Sequence, residues 1–422
     1  MRVLLLGSGA REHAIALELR TEGVHVVVAP GNAGIARIAE CVPLDPEDDA
    51  AVVAYALEHA IDLVVVGPEA PLVAGVADAV RERGIPVFGP GRAAARLESS
   101  KAFAKHVMTE AGVPTGVAVR AGTLAEAEAA LDEIGPPYVV KADGLAAGKG
   151  VLVTDDRDAA IGHAVDWLEH GPVLVEEFLA GREVSLFFVC DGTHVVPLTP
   201  AQDFKRLHDG DAGPNTGGMG AYSPLPWLDD AFGSEGAFVA HVQERIAEPV
   251  VRTLAAEDTP FVGLLYCGLV VQGTDVRVIE FNARFGDPET QVVLPRLATP
   301  LYPLLLAAAR GELGDDEPFV RIRDDLAAVV VVLASEGYPG PSAVGRSITG
   351  VEDAEALPEV AVLHAATTAS EDGLLASGGR VLGVVGTGPS LRDARERAYA
   401  GLDRVRLEGG QFRRDIAEAA AR

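Results

Sequence analysis

Residues 278–290 run Val278-Ile279-Glu280-Phe281-Asn282-Ala283-Arg284-Phe285-Gly286-Asp287-Pro288-Glu289-Thr290. Successive side chains of a strand point to opposite faces, so an extended chain here puts Glu280, Asn282 and Arg284 on one side. A carboxylate, an amide oxygen and a guanidinium in a row make a poor core face. They make a good one for holding a hard cation against phosphate oxygens while an arginine stabilises transferred charge. The plain alternative is a solvated strand face. Val278, Ile279 and Phe281, which read as buried neighbours, disfavour it.

Upstream of this stretch, residues 263–272 and 276–281 read as two paired strands, preceded by a helix over about 235–255. Residues 138–141, 150–153, 173–178, 183–189 and 194–200 alternate with turns and one helix (156–169), which suggests an α+β region with antiparallel strands. The first hundred residues differ. Short apolar runs at 3–6, 25–29, 63–66 and 86–88, most closed by Gly or Pro, alternate with helical stretches at 11–20 and 71–83. That alternation is the pattern of a doubly wound parallel sheet. Near the other end, runs at 326–333 and 381–385 and a helix at 391–402 form a third, smaller α/β unit. The expected fold class is therefore α/β and multidomain.

The chain has 422 residues, enough for two to four domains, and folding at that length buries roughly three-quarters of the unfolded surface. A 48% apolar, 23% charged composition is ordinarily globular. A net charge of −27 argues against a nucleic-acid footprint or an anionic-membrane surface. An anionic ligand would need a local cluster of cations and backbone N–H groups. Three scattered cysteines with no CxxC pair fit a reducing compartment. The apolar run at 3–6 is too short for a signal peptide and that at 326–334 is half a membrane span, so a soluble, cytoplasmic protein is expected. The ten histidines show no metal-ligand spacing, and no GxSxG nucleophile motif occurs.

Four further stretches could carry chemistry. Gly7-Ser8-Gly9-Ala10-Arg11-Glu12 joins a strand to a helix N-terminus, a ready anion site. It departs from the dinucleotide fingerprint: Glu12 replaces the third glycine, and the second strand ends in Ala29-Pro30 rather than an acid. A substrate-anion role and a merely structural turn both stay open. Lys141-Ala142-Asp143-Gly144-Leu145-Ala146-Ala147-Gly148-Lys149-Gly150 has the wrong glycine spacing for a P-loop and lies between strands, which suits a hairpin lid closing over a triphosphate. Leu174-Val175-Glu176-Glu177-Phe178-Leu179, followed by Glu183, could offer a base its backbone groups and a ribose its carboxylate. Asp203-Phe204-Lys205-Arg206, with the glycine-rich stretch 213–223, supplies a local basic cluster beside a loop that could wrap a sugar phosphate.

In this order, the lid lysines, Glu-x-x-Leu and Glu-x-Asn-x-Arg resemble the ATP-grasp ligases. The Arg284-Phe285-Gly286-Asp287-Pro288-Glu289 run narrows the resemblance to the phosphoribosylamine–glycine ligase (glycinamide ribonucleotide synthetase) family. So do Arg11-Glu12-His13-Ala14, Pro30-Gly31-Asn32-Ala33-Gly34, Gly67-Pro68-Glu69-Ala70-Pro71-Leu72, Ser100-Lys101-Ala102-Phe103 and Ser377-Gly378-Gly379-Arg380. The resemblance implies an N-terminal pre-ATP-grasp domain (1–100), an ATP-grasp domain (101–310, lid about 115–190) and a C-terminal domain (322–420). It implies Lys105 and Lys141 on the nucleotide phosphates, Gly148 among the ATP-binding residues, Glu176 and Leu179 at adenine, and Glu183 at ribose. Glu280 and Asn282 match the metal ligands, for Mg²⁺ or Mn²⁺, and Arg284 with Lys141 the catalytic positions. Gly7, Gly9, Lys205, Asn215, Thr216, Gly217 and Asp287 are expected to hold the other substrates. One departure from the wider superfamily is that residues 268–272 contain no second metal carboxylate.

The implied partners are ATP, glycine and 5-phosphoribosylamine, with no nucleic acid or membrane, in a monomer or weak dimer. Competing readings are another grasp carboxylate–amine ligase, a formyl-transferring purine enzyme, an NAD-dependent dehydrogenase using the first loop, and a silent nucleotide sensor.

Overall fold

The apolar runs of the first hundred residues form one parallel sheet. Its strands are β1 (Arg2–Gly7), β2 (His25–Pro30), β3 (Glu40–Cys41), β4 (Leu63–Val66) and β5 (Val87–Phe88), in the order β3-β2-β1-β4-β5. This computed structural model describes residues 1–144, 150–314, 320–371 and 373–422. The helix expected over 71–83 is two helices, Glu69–Ala74 and Val76–Arg81. Gly75 breaks it: its φ is +92°, and a Cβ there would lie 2.6 Å from Arg92 Nη2, a conformation glycine adopts without steric cost.

The lid is an antiparallel sheet of β6 (Ala118–Ala121), β7 (Tyr138–Ala142), β8 (Val151–Thr154) and β9 (Val173–Glu176), ordered β6-β9-β7-β8. Helices Leu124–Ile134 and Arg157–Leu168 start at Thr123 and Asp156, whose side chains accept from first-turn backbone N–H groups. They pack on Tyr138, Val140, Val173 and Val175, in a small core of the lid's own. Strand alternation then turns Lys141 and Glu176 to the opposite face. The lid sheet ends at Glu176, short of the expected 190, because β10 (Arg182–Asp191) leaves for the next sheet.

That next sheet is β11 (Val195–Pro197), β10, β16 (Val262–Gln272) and β17 (Asp275–Asn282), antiparallel and in that order. Val184, Leu186, Phe188, Leu265, Leu269, Val276, Val278 and Phe281 face a core with Phe238, Val242, Val250 and Leu254. The register shifts after the Gly268–Glu280 pair. The one-residue bulge at Ile279 lets Val278 and Phe281 both reach the core while Glu280 and Asn282 take the other face.

The stretch 203–222 is not the open loop that its glycines suggest. It holds β13 (Arg206–His208) and β14 (Ala212–Asn215), a hairpin, between β12 (Gln202–Asp203) and β15 (Gly220–Ser223). Strands β12 and β15 join β18 (Ala327–Ala334), β23 (Arg380–Gly388) and β20 (Val360–His364) in a sheet ordered β12-β15-β18-β23-β20. The C-terminal unit therefore shares its sheet with the middle of the chain. A small sheet of β21 (Thr367–Ser370), β22 (Gly373–Ala376), β19 (Ser347–Thr349) and β24 (Arg406–Leu407) completes it.

Candidate active site

Three lysines crowd one carboxylate. Lys141 Nζ lies 2.7 Å from Glu176 Oε2, both buried on the face of the lid sheet turned away from its helices. Lys105, from helix Lys101–Glu110, sits 3.7 Å from Glu176 Oε1 and donates to Thr115 Oγ1 and the Gly116 carbonyl. Lys101 donates to the Gly144 carbonyl at 3.0 Å. Burial pushes the Lys101 and Lys105 ammoniums below the usual lysine range; Lys141 adds to this, while Glu280 and Glu176 oppose it. Glu176 is the carboxylate paired directly with the cluster, with Glu280, Asp143 and Glu177 acting from further off, and the three converging ammoniums suit an arriving polyanion. Gly148, expected beside these lysines, lies outside the described residues.

The second wall is the polar face of the β10–β16–β17 sheet. Register places Ser185, Gly268 and Glu280 in one row and Phe187, Tyr266 and Asn282 in the next, with Glu183 on the same face. Glu280 and Asn282 are thus adjacent hard oxygen donors, the set a magnesium-like cation takes. Gly268 stands opposite Glu280, and a Cβ there would come 3.1 Å from Glu280 Cγ. The missing second acid is therefore space that the Glu280 side chain uses. Among the described residues no group of three or more His, Cys, Asp or Glu is placed to hold a metal, so phosphate and water oxygens would have to complete the shell. Lys205 pairs with Glu183 at 2.7 Å and holds the Glu183 carboxyl below its ordinary range against burial. Nearby Asp203 is pushed up to about 7, chiefly by burial.

Arg284 is not on that face. Strand β17 ends at Asn282, because the next backbone N–H, of Ala283, donates to Glu98 Oε2 at 2.7 Å. Arg284 then turns to Glu98 Oε1 (3.0 Å) and Glu69 Oε2 (3.3 Å) of the N-terminal lobe. Burial opposes its charge, but the two carboxylates win and hold the guanidinium firmly protonated.

The first loop is also partly occupied. Glu12 Oε2 accepts from the Gly9 N–H at 2.6 Å, and a Cβ on Gly67 would lie 2.3 Å from Glu12 Oε1. A resident carboxylate thus takes the amide that a dinucleotide pyrophosphate would use. Gly9 nonetheless faces Asp287: its missing Cβ would sit 3.8 Å from Asp287 Oδ2. Asp287 pairs with Arg380 of β23 at 3.1 Å, and that arginine also donates to the carbonyls of Gly217 and Asp287. It holds the Asp287 carboxyl below its usual range despite burial. The Thr216 hydroxyl donates to the Lys205 carbonyl and accepts from Gly218 N–H, so it shapes the loop from within. Asn215 closes β14 just ahead of that loop. Leu179 lies by Gly116 in the link between β9 and β10, at the lid's base.

Sequence reasoning singled out neither Lys101 nor Arg380 for the site, although both stand in motifs it quoted. It also passed over Ser185, Tyr266 and Glu289, discussed below.

A lid sheet carrying Lys141, with Lys101 and Lys105 on the helix before it, set against a second sheet that carries paired oxygen donors, defines an ATP-grasp protein. Comparison with known families agrees along the chain. Residues 1–98 match the phosphoribosylglycinamide synthetase N domain, 99–290 its ATP-grasp (A) domain, and 328–419 its C domain. The chain belongs to the phosphoribosylglycinamide synthetase family. A phosphoribosylamine–glycine ligase of Leifsonia xyli subsp. xyli is 62% identical, with 100% of both chains covered. One from Mycobacterium tuberculosis is 55% identical over 100% of this chain and 99% of its own. The crystal structure of the Thermotoga maritima phosphoribosylamine–glycine ligase superposes with a TM-score of 0.83 at 36% identity, covering 99% of this chain and 100% of that one. A Campylobacter jejuni biotin carboxylase, 15% identical with a TM-score of 0.72 over 97% and 92% of the two chains, shares the fold. Among the described residues no helix is long and apolar enough to cross a membrane.

Proposed function

We propose that the protein joins glycine to 5-phosphoribosylamine with ATP, giving glycinamide ribonucleotide, ADP and phosphate in de novo purine synthesis. The observation that carries this reading is the set of three lysines around Glu176, of which Lys101 lies within electrostatic reach of Glu280. The full-length relatives that bear the ligase name support it.

Lys101, Lys105 and Lys141 hold the triphosphate, with the link at Glu177–Leu179 beside the base and Glu183 at the ribose. Glu280 and Asn282 would hold Mg²⁺ or Mn²⁺, which when bound offsets charge on the phosphate oxygens. The glycine carboxylate oxygen attacks the γ-phosphorus and ADP leaves, forming glycyl phosphate. The 1-amino group of phosphoribosylamine attacks the acyl carbon, and the departing phosphate carries off the surplus proton. Asp287, fixed by Arg380 beside Gly9, Lys205 and Gly217, positions the sugar phosphate amine, and Arg284 braces the end of the metal-bearing strand. The lobes divide near residues 1–100, 101–310 and 322–420. The enzyme acts in the cytoplasm as a monomer or weak dimer.

Glycine labelled with ¹⁸O in its carboxylate tests the scheme. One label per turnover should appear in inorganic phosphate, and ADP release should require glycine. Label-free phosphate would remove the acyl-phosphate route.

A further inference from the structure

Glu289 is a buried carboxylate, 3% exposed, that the scheme above does not use. Its Oε1 accepts from Ser185 Oγ at 2.9 Å and Tyr266 OH at 3.0 Å, and those two hydroxyl oxygens lie 2.8 Å apart. Among the described residues its hydrogen-bond partners are thus neutral hydroxyls, while the arginine within electrostatic reach, Arg284, is paired directly with Glu98 and Glu69. A buried ionised carboxylate is costly unless a cation or a full set of donors meets it. Two donors meet Oε1. Oε2 points toward Gly286, where a Cβ would come within 2.6 Å of it, so a side chain at 286 would displace the carboxylate.

Its place matters as much as its charge. Ser185 and Tyr266 stand in the same two rows of the sheet face as Glu280 and Asn282. The residue between Ser185 and Glu280 is Gly268, which leaves the middle of that face without a side chain. Glu289 therefore lies against the sheet face that carries Glu280 and Asn282, where the scheme above brings the amino-acid carboxylate to the γ-phosphate.

We propose that Glu289, held by Ser185 and Tyr266, receives the ammonium group of the amino-acid substrate and selects a 2-aminocarboxylate over a plain carboxylic acid. The ammonium supplies the directly hydrogen-bonded cation that Arg284, engaged with Glu98 and Glu69, does not, and the substrate carboxylate is thereby turned toward the phosphate. The proposal rests on the acyl-phosphate reading above. It gives Glu289 no part in bond making, since the ammonium stays protonated throughout.

Hydroxylamine traps acyl phosphates as hydroxamates, so the full-length protein can be assayed with ATP, Mg²⁺ and either glycine or glycolate, which replaces the ammonium with a neutral hydroxyl. The unaltered protein should strongly prefer glycine. Glu289→Gln should raise the KM for glycine roughly 10–100-fold, the range for losing a charged hydrogen bond, and leave the KM for ATP unchanged. The preference over glycolate should shrink by a similar factor. Tyr266→Phe and Ser185→Ala, which keep the carboxylate but loosen it, should show smaller shifts of the same kind and serve if Glu289→Gln melts early. An unchanged glycine KM in a folded Glu289→Gln, or equal losses with glycine and glycolate, would overturn the subsite. No glycine hydroxamate from the unaltered protein would bring down the ligase reading itself, and the subsite with it.

Discussion

The two walls of the cleft carry opposite imbalances of charge. On one, Lys101, Lys105 and Lys141 share Glu176. On the other, Glu183, Asp203 and Glu280 lie within electrostatic reach of Lys205, with Glu289 close enough to act on Asp203. Carboxylates outnumber Lys205 on the second wall, and on the first burial holds Lys101 and Lys105 below their ordinary basicity. A protein that needed only to be stable would pair these groups one to one, because unpaired buried charge is destabilising. Here the triphosphate suits the lysine wall, while a divalent cation and an ammonium suit the carboxylate wall. An overall charge of −27 is thus no obstacle to binding ATP, since the local sign is set by three residues.

The comparison breaks first at Glu280. Glu280→Gln keeps the shape but removes charge from the cation's oxygen set, and kcat should fall roughly 10²–10³-fold, the scale of losing one electrostatic stabiliser of a transition state. The Mg²⁺ concentration for half-maximal ADP release should rise as well. Normal turnover at low Mg²⁺ would show that the carboxylate wall does not hold the metal.

On the lysine wall, Lys141→Met should raise the KM for ATP roughly 10–100-fold, as expected for one charge-assisted contact, without loss of fold. Glu176→Gln tests the imbalance in reverse. It strips the cluster of its carboxylate, so the ligand-free protein should melt lower while ATP raises its melting temperature by more than in the parent. Equal ATP-induced shifts in the two proteins would mean that the lysines are not waiting for an anion.

The smallest effect belongs to Asp203, pushed up to about 7 by burial against an unfolded value near ~3.9. Between those pH values the folded state keeps a proton that the unfolded state has released, so stability declines as pH rises from about 4 to about 7. Asp203→Asn cannot ionise. It should melt like the parent near pH 4 and a few degrees higher above pH 7 by calorimetry. A constant difference across that window would place Asp203 in a wetter setting.

Much of the fold could be read from periodicity, because strands such as β1, β4 and β18 are continuous apolar runs buried on both faces. Periodicity failed where pairing is non-local. Residues 203–222 look like a loop since their strands are short and glycine-rich, and what extends β15 is β18, far along the chain. The same holds within the site. Glu280 and Asn282 could be placed from alternation alone, whereas Arg284 could not. Its direction is decided by Glu98, 185 residues from the Ala283 amide that it also binds. Glu289 sat in plain view in the quoted motif, but its meaning depends on Ser185, 104 residues away.

The sharing of one sheet between β12, β15 and the C-terminal strands also imposes an order of events during synthesis. Arg380 reaches back 163 residues to the Gly217 carbonyl, and β15 has no inner neighbour until β18 exists. At ribosomal speeds of about 5–20 residues per second that separation is roughly 8–30 s. For that interval the nascent chain holds a complete parallel N-terminal sheet and a lid with its own core, while the substrate loop is still unfinished. A chain that stops early would therefore be ordered at the lid and unable to grip the sugar phosphate, and the exposed edge of β15 would be open to pairing with another nascent copy.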